Sequence, residues 1–311
     1  MLPMVQGVLR RWNVRLTDDN GHEITAPNPE INEDANLEDV SEPAVHPASI
    51  SRQSYDYHPS VWDVLKVRFL LQRIGALPTE IVDEIIDAAE YWPSTTTTMA
   101  SADDESHRII RKDRDQVLVK TVPLCYDRTE LEQSPDNPRS LPHRSRHQVC
   151  RKIVFRLSSH DQGPGQVRPN MYHESWTWFD AEVIRGAHAK NMFANGEEQE
   201  LLEDEKGEYT KHFGPDDRLL LPHANKLQSN GGRCYERQDV EIIWHYQDDI
   251  EADSPEASLI ESRKGRGRAT LDGRVVREME VGDSIAVWAR ARFPGWSNHV
   301  YGASVTVFWA I

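Results

Sequence analysis

The densest run of chemistry-bearing side chains is Ser159-His160-Asp161-Gln162-Gly163, followed a few residues later by Tyr172 to Asp180 (YHESWTWFD). A loop carrying His160, Asp161, Gln162 and Tyr172 beside several tryptophans has the composition of a recognition rim. Aromatic faces stack on sugars or side chains, and amides and carboxylates take up hydrogen bonds. The alternate aromatics Trp176, Trp178 and Phe179 also suit the two faces of a strand, and for them that bland reading is the stronger. A second group, Phe293-Pro294-Gly295-Trp296-Ser297-Asn298-His299, contains a tight Pro-Gly turn, after which Trp296 and Asn298 could plug a corner or contact a ligand. If the two loops share one end of the fold, His160, Asp161, Gln162, Tyr172, Trp296 and Asn298 form one ligand-binding site.

A rival reading makes His160 and Asp161 an acid–base pair of a hydrolase- or isomerase-type enzyme, since a carboxylate can orient an imidazole and stabilise its charged form. Neighbours on an extended strand point to opposite faces, so that pair requires a turn. No other catalytic motif fits its context. Gly282-Asp283-Ser284 precedes a strand rather than a helix. There is no GxSxG, HExxH or P-loop, and Gly265, Gly267 and Gly273 form no dinucleotide fingerprint. None of the thirteen histidines makes an i, i+4 ligand pair on a credible helix, and neither a metal nor a cofactor is expected. A binding protein without catalytic residues is therefore the leading expectation, with a ligand-free scaffold as the bland alternative.

The elements that must position these residues are mostly strands. Val117 to Thr121, Val149 to Leu157, Trp176 to Ala181, Val240 to Tyr246, Ser284 to Ala291 and Ser304 to Trp309 alternate with period two. They are rich in β-branched and aromatic residues and are bounded by Gly, Pro, Asn and Asp. No helix-length periodic segment separates them, which argues against a parallel βαβ sheet and for a jelly-roll-like β-sandwich over 105–311. Upstream, over 56–98, two amphipathic helices form a hairpin. Val61, Trp62, Leu65 and Phe69 mark the first, capped by Ser60. Ile81, Val82, Ile85, Ile86 and Ala89 mark the second, and Pro93 with the polar run Ser94 to Thr98 ends it.

Residues 1–55 read as a largely disordered tail, because Thr17 to Pro47 is acidic, Pro/Asn-rich and without sustained period; Val8 to Leu16 could supply a short strand. Asn195 to Tyr209 and Asp248 to Glu256 read as exposed acidic loops.

The chain of 311 residues carries a net charge of −15, with 38% hydrophobic residues and a mean hydropathy of −0.66. That charge disfavours nucleic acid and anionic lipid. The clusters Arg139, Arg144, Arg146, Arg151, Lys152 and Arg263, Lys264, Arg266, Arg268 read as solvated faces balancing the acidic inserts. Apolar runs are too short for a membrane span, and the opening MLPMVQGVLRRW has no apolar signal region. Three widely spaced cysteines and the lack of any Asn-x-Ser/Thr sequon favour a cytoplasmic or nuclear address.

The segment Leu77-Pro78-x-Glu80-Ile81-Val82-x-x-Ile85-Ile86 resembles the opening of an F-box, the helical module that docks onto the Skp1 adaptor of cullin ubiquitin ligases. SHDQG with SWTWF and the closing GDSIAVWARARFPGW…VFWA looks like a family of fungal proteins in which a comparable helical pair precedes a β domain. That layout is similar to F-box-associated and phloem-lectin-like proteins. The resemblance spans roughly 60–311. It implies a Skp1-like partner through 77–92, docked by Leu77, Pro78, Ile81, Ile85 and Ile86, and a sandwich that binds glycan or protein; it implies no catalytic residue.

Overall fold

The structure is a computed structural model that describes residues 57–99, 107–112, 114–145, 147–163, 172, 175–189, 202–203, 209–211 and 226–311. The expected acidic tail, its Val8 to Leu16 strand and much of the insert 195–209 lie outside the described residues. Residues His58–Ile311 form one compact unit.

That unit opens with α1 (Val61–Arg73) and α2 (Thr79–Ala88). A reciprocal capping box between Ser60 and Asp63 starts α1. Among the described residues eleven strands follow: β1 (Ser94–Thr98), β2 (Arg108–Arg111), β3 (Asp115–Lys120), β4 (Cys150–Asp161), β5 (Thr177–Ile184), β6 (Leu202–Glu203), β7 (Tyr209–Lys211), β8 (Lys226–Ser229), β9 (Gln238–His245), β10 (Ser284–Ala291) and β11 (Ser297–Trp309). Three short helices sit in the connections: α3 (Arg128–Gln133), α4 (Pro255–Lys264) and α5 (Arg274–Glu278).

All strand pairs are antiparallel. One sheet runs β1-β11-β4-β9, with β2 also on β11; the other runs β6-β7-β3-β10-β5-β8. Set aside β2 and the small β6–β7 hairpin, and number the remaining eight strands in chain order. The first sheet then holds strands one, eight, three and six, and the second holds two, seven, four and five. This interleaving is the two-sheet jelly roll expected from the strand pattern. Its core contains Ile153, Phe155 and Leu157 of β4, Trp244 of β9, Ile285, Val287 and Ala289 of β10 and Phe179 of β5. Phe155 meets Trp244 edge-on at 4.6 Å between centroids.

Three local expectations are corrected. Ser94–Thr98 is not a polar stop but an edge strand in register with Ser304–Phe308, so the sandwich begins ahead of residue 105. Threonine is β-branched and pairs well on a pleated surface without apolar alternation; Thr96 and Thr306 hydroxyls meet at 2.9 Å across the pair. The second acidic run, 248–256, is not a loose loop throughout: Ser254 caps α4, whose Pro255 takes the first helical position and whose Gly265 closes it at φ +71°. Within 195–209, Leu202–Glu203 pairs with β7 instead of remaining loop.

The hairpin packs on the sandwich through Val64, Val82 and Ile86, all part of the common core. Asp87 accepts hydrogen bonds from Trp92 Nε1 (2.8 Å), from Arg151 Nε (3.2 Å) and Nη2 (3.1 Å), and from Arg144 Nη1 (3.1 Å). Arg68 bridges Asp83 and the carbonyl of Ile311, 2.5 Å away. Burial pushes the Asp87 pKa up, but the hydrogen bonds from Arg151 and Trp92 and the charges of Arg151 and Arg144 outweigh it and leave the carboxyl below its ordinary value. Much of the first basic cluster is therefore internal glue: Arg144, Arg151 and Lys152 pair with Asp83, Asp87 and Glu90.

Candidate functional site

The jelly roll dictates where the candidate loops go. Connections β2–β3, β4–β5, β8–β9 and β10–β11 all emerge at one end, where β4 finishes and β11 starts; the helical hairpin lies at the other, where β4 starts and β11 finishes. Asn298 pairs with Asp161 and His299 with His160 in the β11–β4 register, while Ser297 pairs with Arg111 of β2. The backbone N–H of Ser297 donates to Gln162 Oε1 at 2.5 Å. The two loops singled out in the sequence thus form one rim.

Two of the six expected ligand residues face inward. Asp161 is fully buried and accepts the backbone N–H groups of Gln162 (2.5 Å) and Arg233 (2.9 Å), locking β4 to the loop before β9. Asn298 is also fully buried, in a polar network between the sheets. Ser159 donates to Asn230 Oδ1 at 2.7 Å, and Asn230 Nδ2 donates to Thr177 Oγ1 (3.0 Å) and Asn298 Oδ1 (2.9 Å). Asn298 Nδ2 then donates to the carbonyl of Trp178 at 3.2 Å. Such a closed network positions the strands and offers nothing to a ligand. Tyr172, half-buried, rests on Gly265, where an added Cβ would lie 2.4 Å from the ring. Burial, then the neighbouring Cys234, pushes its phenol pKa up.

His160 does not meet the Asp161 carboxylate. Its Nδ1 lies 2.7 Å from the Asp161 backbone carbonyl and its Nε2 3.0 Å from the Tyr301 hydroxyl. The extended strand sends the two side chains to opposite faces. Instead, His160 stacks on His299 with centroids 4.6 Å apart and planes at 11°, and His107 stacks on the other flank of His299 at 5.2 Å and on Tyr301 at 4.8 Å. His107 Nε2 is 3.0 Å from His299 Nδ1, and the Ser297 hydroxyl is 3.0 Å from His299 Nε2. Arg237 covers Tyr301 at 5.1 Å. Burial, reinforced by His160, His107 and Arg111, lowers the His299 pKa to about 4. At neutral pH the stack is therefore uncharged at its centre. The stack is not visible in the sequence because its members come from β4, β11 and the residue just before β2 and meet only through the register.

Beside the stack, Phe293 to Trp296 forms a type II turn: Pro294 leads, Gly295 adopts φ +84°, and the Trp296 N–H returns to the Phe293 carbonyl at 3.1 Å. Phe293 is exposed and Trp296 half-exposed. Trp176 packs edge-on to Phe293 at 4.9 Å, with the Arg292 guanidinium 5.3 Å from each ring. Among the described residues this surface is a ledge. Two hollows among the described residues lie elsewhere: a narrow one lined by Thr121, Cys125, Val307 and Trp309, and an open one of about 560 Å³ lined by Glu130, Gln133, Asp136 and Arg139.

The other candidate surface is the hairpin. Ile86 is buried at 2% exposure in the common core, so it is not free for docking as the resemblance implies; Leu77 and Ile85 are half-buried. Pro78 and Ile81 are exposed, together with Trp62 (78%), Phe69, Leu70 and Ile74 (81%).

Among the described residues no group of His, Cys, Asp and Glu could hold a metal ion, and no helix is long and apolar enough to cross a membrane. Cys125, Cys150 and Cys234 are all buried free thiols. No protein-family model matches the chain, and comparison with curated proteins and with solved structures finds no match.

Proposed function

We propose that the chain is a non-catalytic connector between proteins: the ledge of Trp176, Arg292, Phe293 and Trp296, flanked by the histidine stack, receives one protein partner, and the exposed face of the helical hairpin docks a second. The observation that carries this reading is the ledge itself. Tryptophan, phenylalanine and arginine meet there on a projecting turn, the composition of an interface hot spot without the concavity of a small-molecule site.

Protein is favoured over glycan by the state of the rings. A sugar needs an open aromatic face, whereas Arg292 lies over both Trp176 and Phe293, and the imidazoles of His160 and His107 cover the two flanks of His299. An acid–base reading is disfavoured because both ring nitrogens of His160 are engaged by the Asp161 carbonyl and the Tyr301 hydroxyl. At the opposite end, Trp62, Phe69, Leu70, Ile74, Pro78 and Ile81 offer an apolar face suited to a Skp1-like adaptor, which would make the whole an F-box-type substrate receptor of the cytoplasm or nucleus. β4 and β11 hold the two surfaces roughly 35–40 Å apart at ~3.3 Å per residue, so both can be occupied at once.

The full chain, compared with a Trp176→Ala/Phe293→Ala variant on a glycan array and in quantitative partner capture, tests this function. The reading expects no glycan signal and a set of protein partners lost only by the variant. A glycan signal abolished by the variant would replace it with a lectin.

A further inference from the structure

Resting on the protein-binding reading of the ledge, we infer that the segment received there is acidic: an extended stretch of Asp and Glu side chains in the partner protein. The observation is one of charge. A chain of net charge −15 would present carboxylates at an average surface. At this end it presents arginines. Arg111 lies opposite Ser297 at the start of β11, and Arg114 closes the turn after it. Arg233 is tied by its backbone to Asp161, Arg237 lies over Tyr301, and Arg292 sits on the ledge.

Arg111, Arg114, Arg233 and Arg292 have no ion-pair partner among the described residues, and Arg237 meets Asp239 only at 3.5 Å. The exposed carboxylates described beside them are those of Glu236 and Asp239; Asp161 is buried and spent on backbone amides. Guanidinium groups recognise carboxylates through paired N–H donors, and several of them at one end beside aromatic anchors select an acidic strand carrying an occasional apolar side chain. Single-stranded nucleic acid is the weaker match. It wants open ring faces for base stacking, which Arg292 and the imidazole stack cover, and a long polyanion would meet the repulsion of the acidic remainder.

The test uses the full chain and fluorescence anisotropy with three labelled probes: a twelve-residue peptide of Asp, Glu and Leu, its Asn, Gln and Leu counterpart, and a twelve-nucleotide oligouridylate. The acidic peptide should bind best and weaken as salt is raised. The exposed pair Arg111→Glu/Arg292→Glu should weaken it about tenfold or more. Arg128→Glu, an exposed residue of α3 beyond the far end of β3, should leave it unchanged, with circular dichroism confirming that each variant is folded. Equal binding of the neutral peptide would overturn the acidic class while leaving a protein-binding ledge intact. Tighter binding of oligouridylate would overturn it in favour of nucleic acid. Binding indifferent to Arg111→Glu/Arg292→Glu, or no binding of the acidic peptide at all, would also overturn it.

Discussion

The imidazole of His160 lies flat against that of His299, centroids 4.6 Å apart, although 138 residues of chain lie between them. The contact exists because the β11–β4 register sets the two residues directly opposite one another. It also brings three imidazoles, with His107, within reach of Arg111 and Arg237, while Tyr301 and Ser297 supply hydroxyls and no negative charge.

Protonation should therefore oppose folding here. The folded pKa of His299, about 4, lies below the ordinary 6.5, so the unfolded chain takes up the proton first on acidification. Stability contributed by the neutral ring is complete above 6.5 and is lost as pH falls from 6.5 towards 4. Thermal unfolding at stepped pH should show the wild type losing Tm over that window, and His299→Phe should flatten the slope.

Asp87 anchors the hairpin. Asp87→Ala removes the carboxylate that accepts from Arg151 Nε and Nη2 and from Trp92 Nε1, leaving Arg151 only the Gln148 carbonyl among the described residues, and should cost about 2–3 kcal/mol in denaturant unfolding. The folded pKa of Asp87 lies below the ordinary 3.8, so its contribution is present above that value and is lost as pH falls through the folded pKa. The wild type and Asp87→Ala should converge in stability in that acid range.

A buried ionic triad spans the second sheet: Arg290 sits between Asp115, at 3.1 Å, and Asp180. Desolvation pushes the Asp115 pKa up to about 7 against the pull of Arg290. Arg290→Met strands two carboxylates in the interior and should cost about 3–5 kcal/mol. Adding Asp115→Leu and Asp180→Leu should recover much of that loss, measured as the denaturant midpoint at constant m-value.

The hairpin's exposed face is separable from its buried one. Trp62→Asp/Ile81→Asp alters solvent-facing side chains and should move stability by less than about 0.5 kcal/mol each. It should nevertheless abolish co-purification with a Skp1-like adaptor, whereas retention of that partner by the folded variant would contradict docking through this face.

The strands were legible where burial writes itself into residue type. Ser284 to Ala291 is buried at every position and reads as strand from first residue to last. β1 was not legible, because a run of one serine and four threonines carries no apolar period and its pairing with β11 is a property of the tertiary fold. α4 escaped for a related reason: PEASLIESRK has a weak apolar stripe and buries only Ala257. The candidate site divides the same way. Composition located the loops at 159–163 and 293–299, yet which residues face solvent depends on strand parity. That parity turns Asp161 and Asn298 inward and brings His107, His299 and Tyr301 to the surface beside His160. The cationic end is hidden because its arginines are scattered over three connections far apart in the chain, β2–β3, β8–β9 and β10–β11, whereas the basic runs at 139–152 and 263–268 are contiguous in sequence.

The most direct test of the central claim, that the ledge is where a protein partner sits, is site-specific photo-crosslinking in cells. A photo-reactive phenylalanine analogue would replace Phe293 on the ledge or, as the control, Leu259, also exposed, on α4. We predict discrete, protein-sized adducts at 293 that disappear when Arg292→Glu is added, and none at 259. Adducts of equal yield at both positions, or none at 293, would contradict the account.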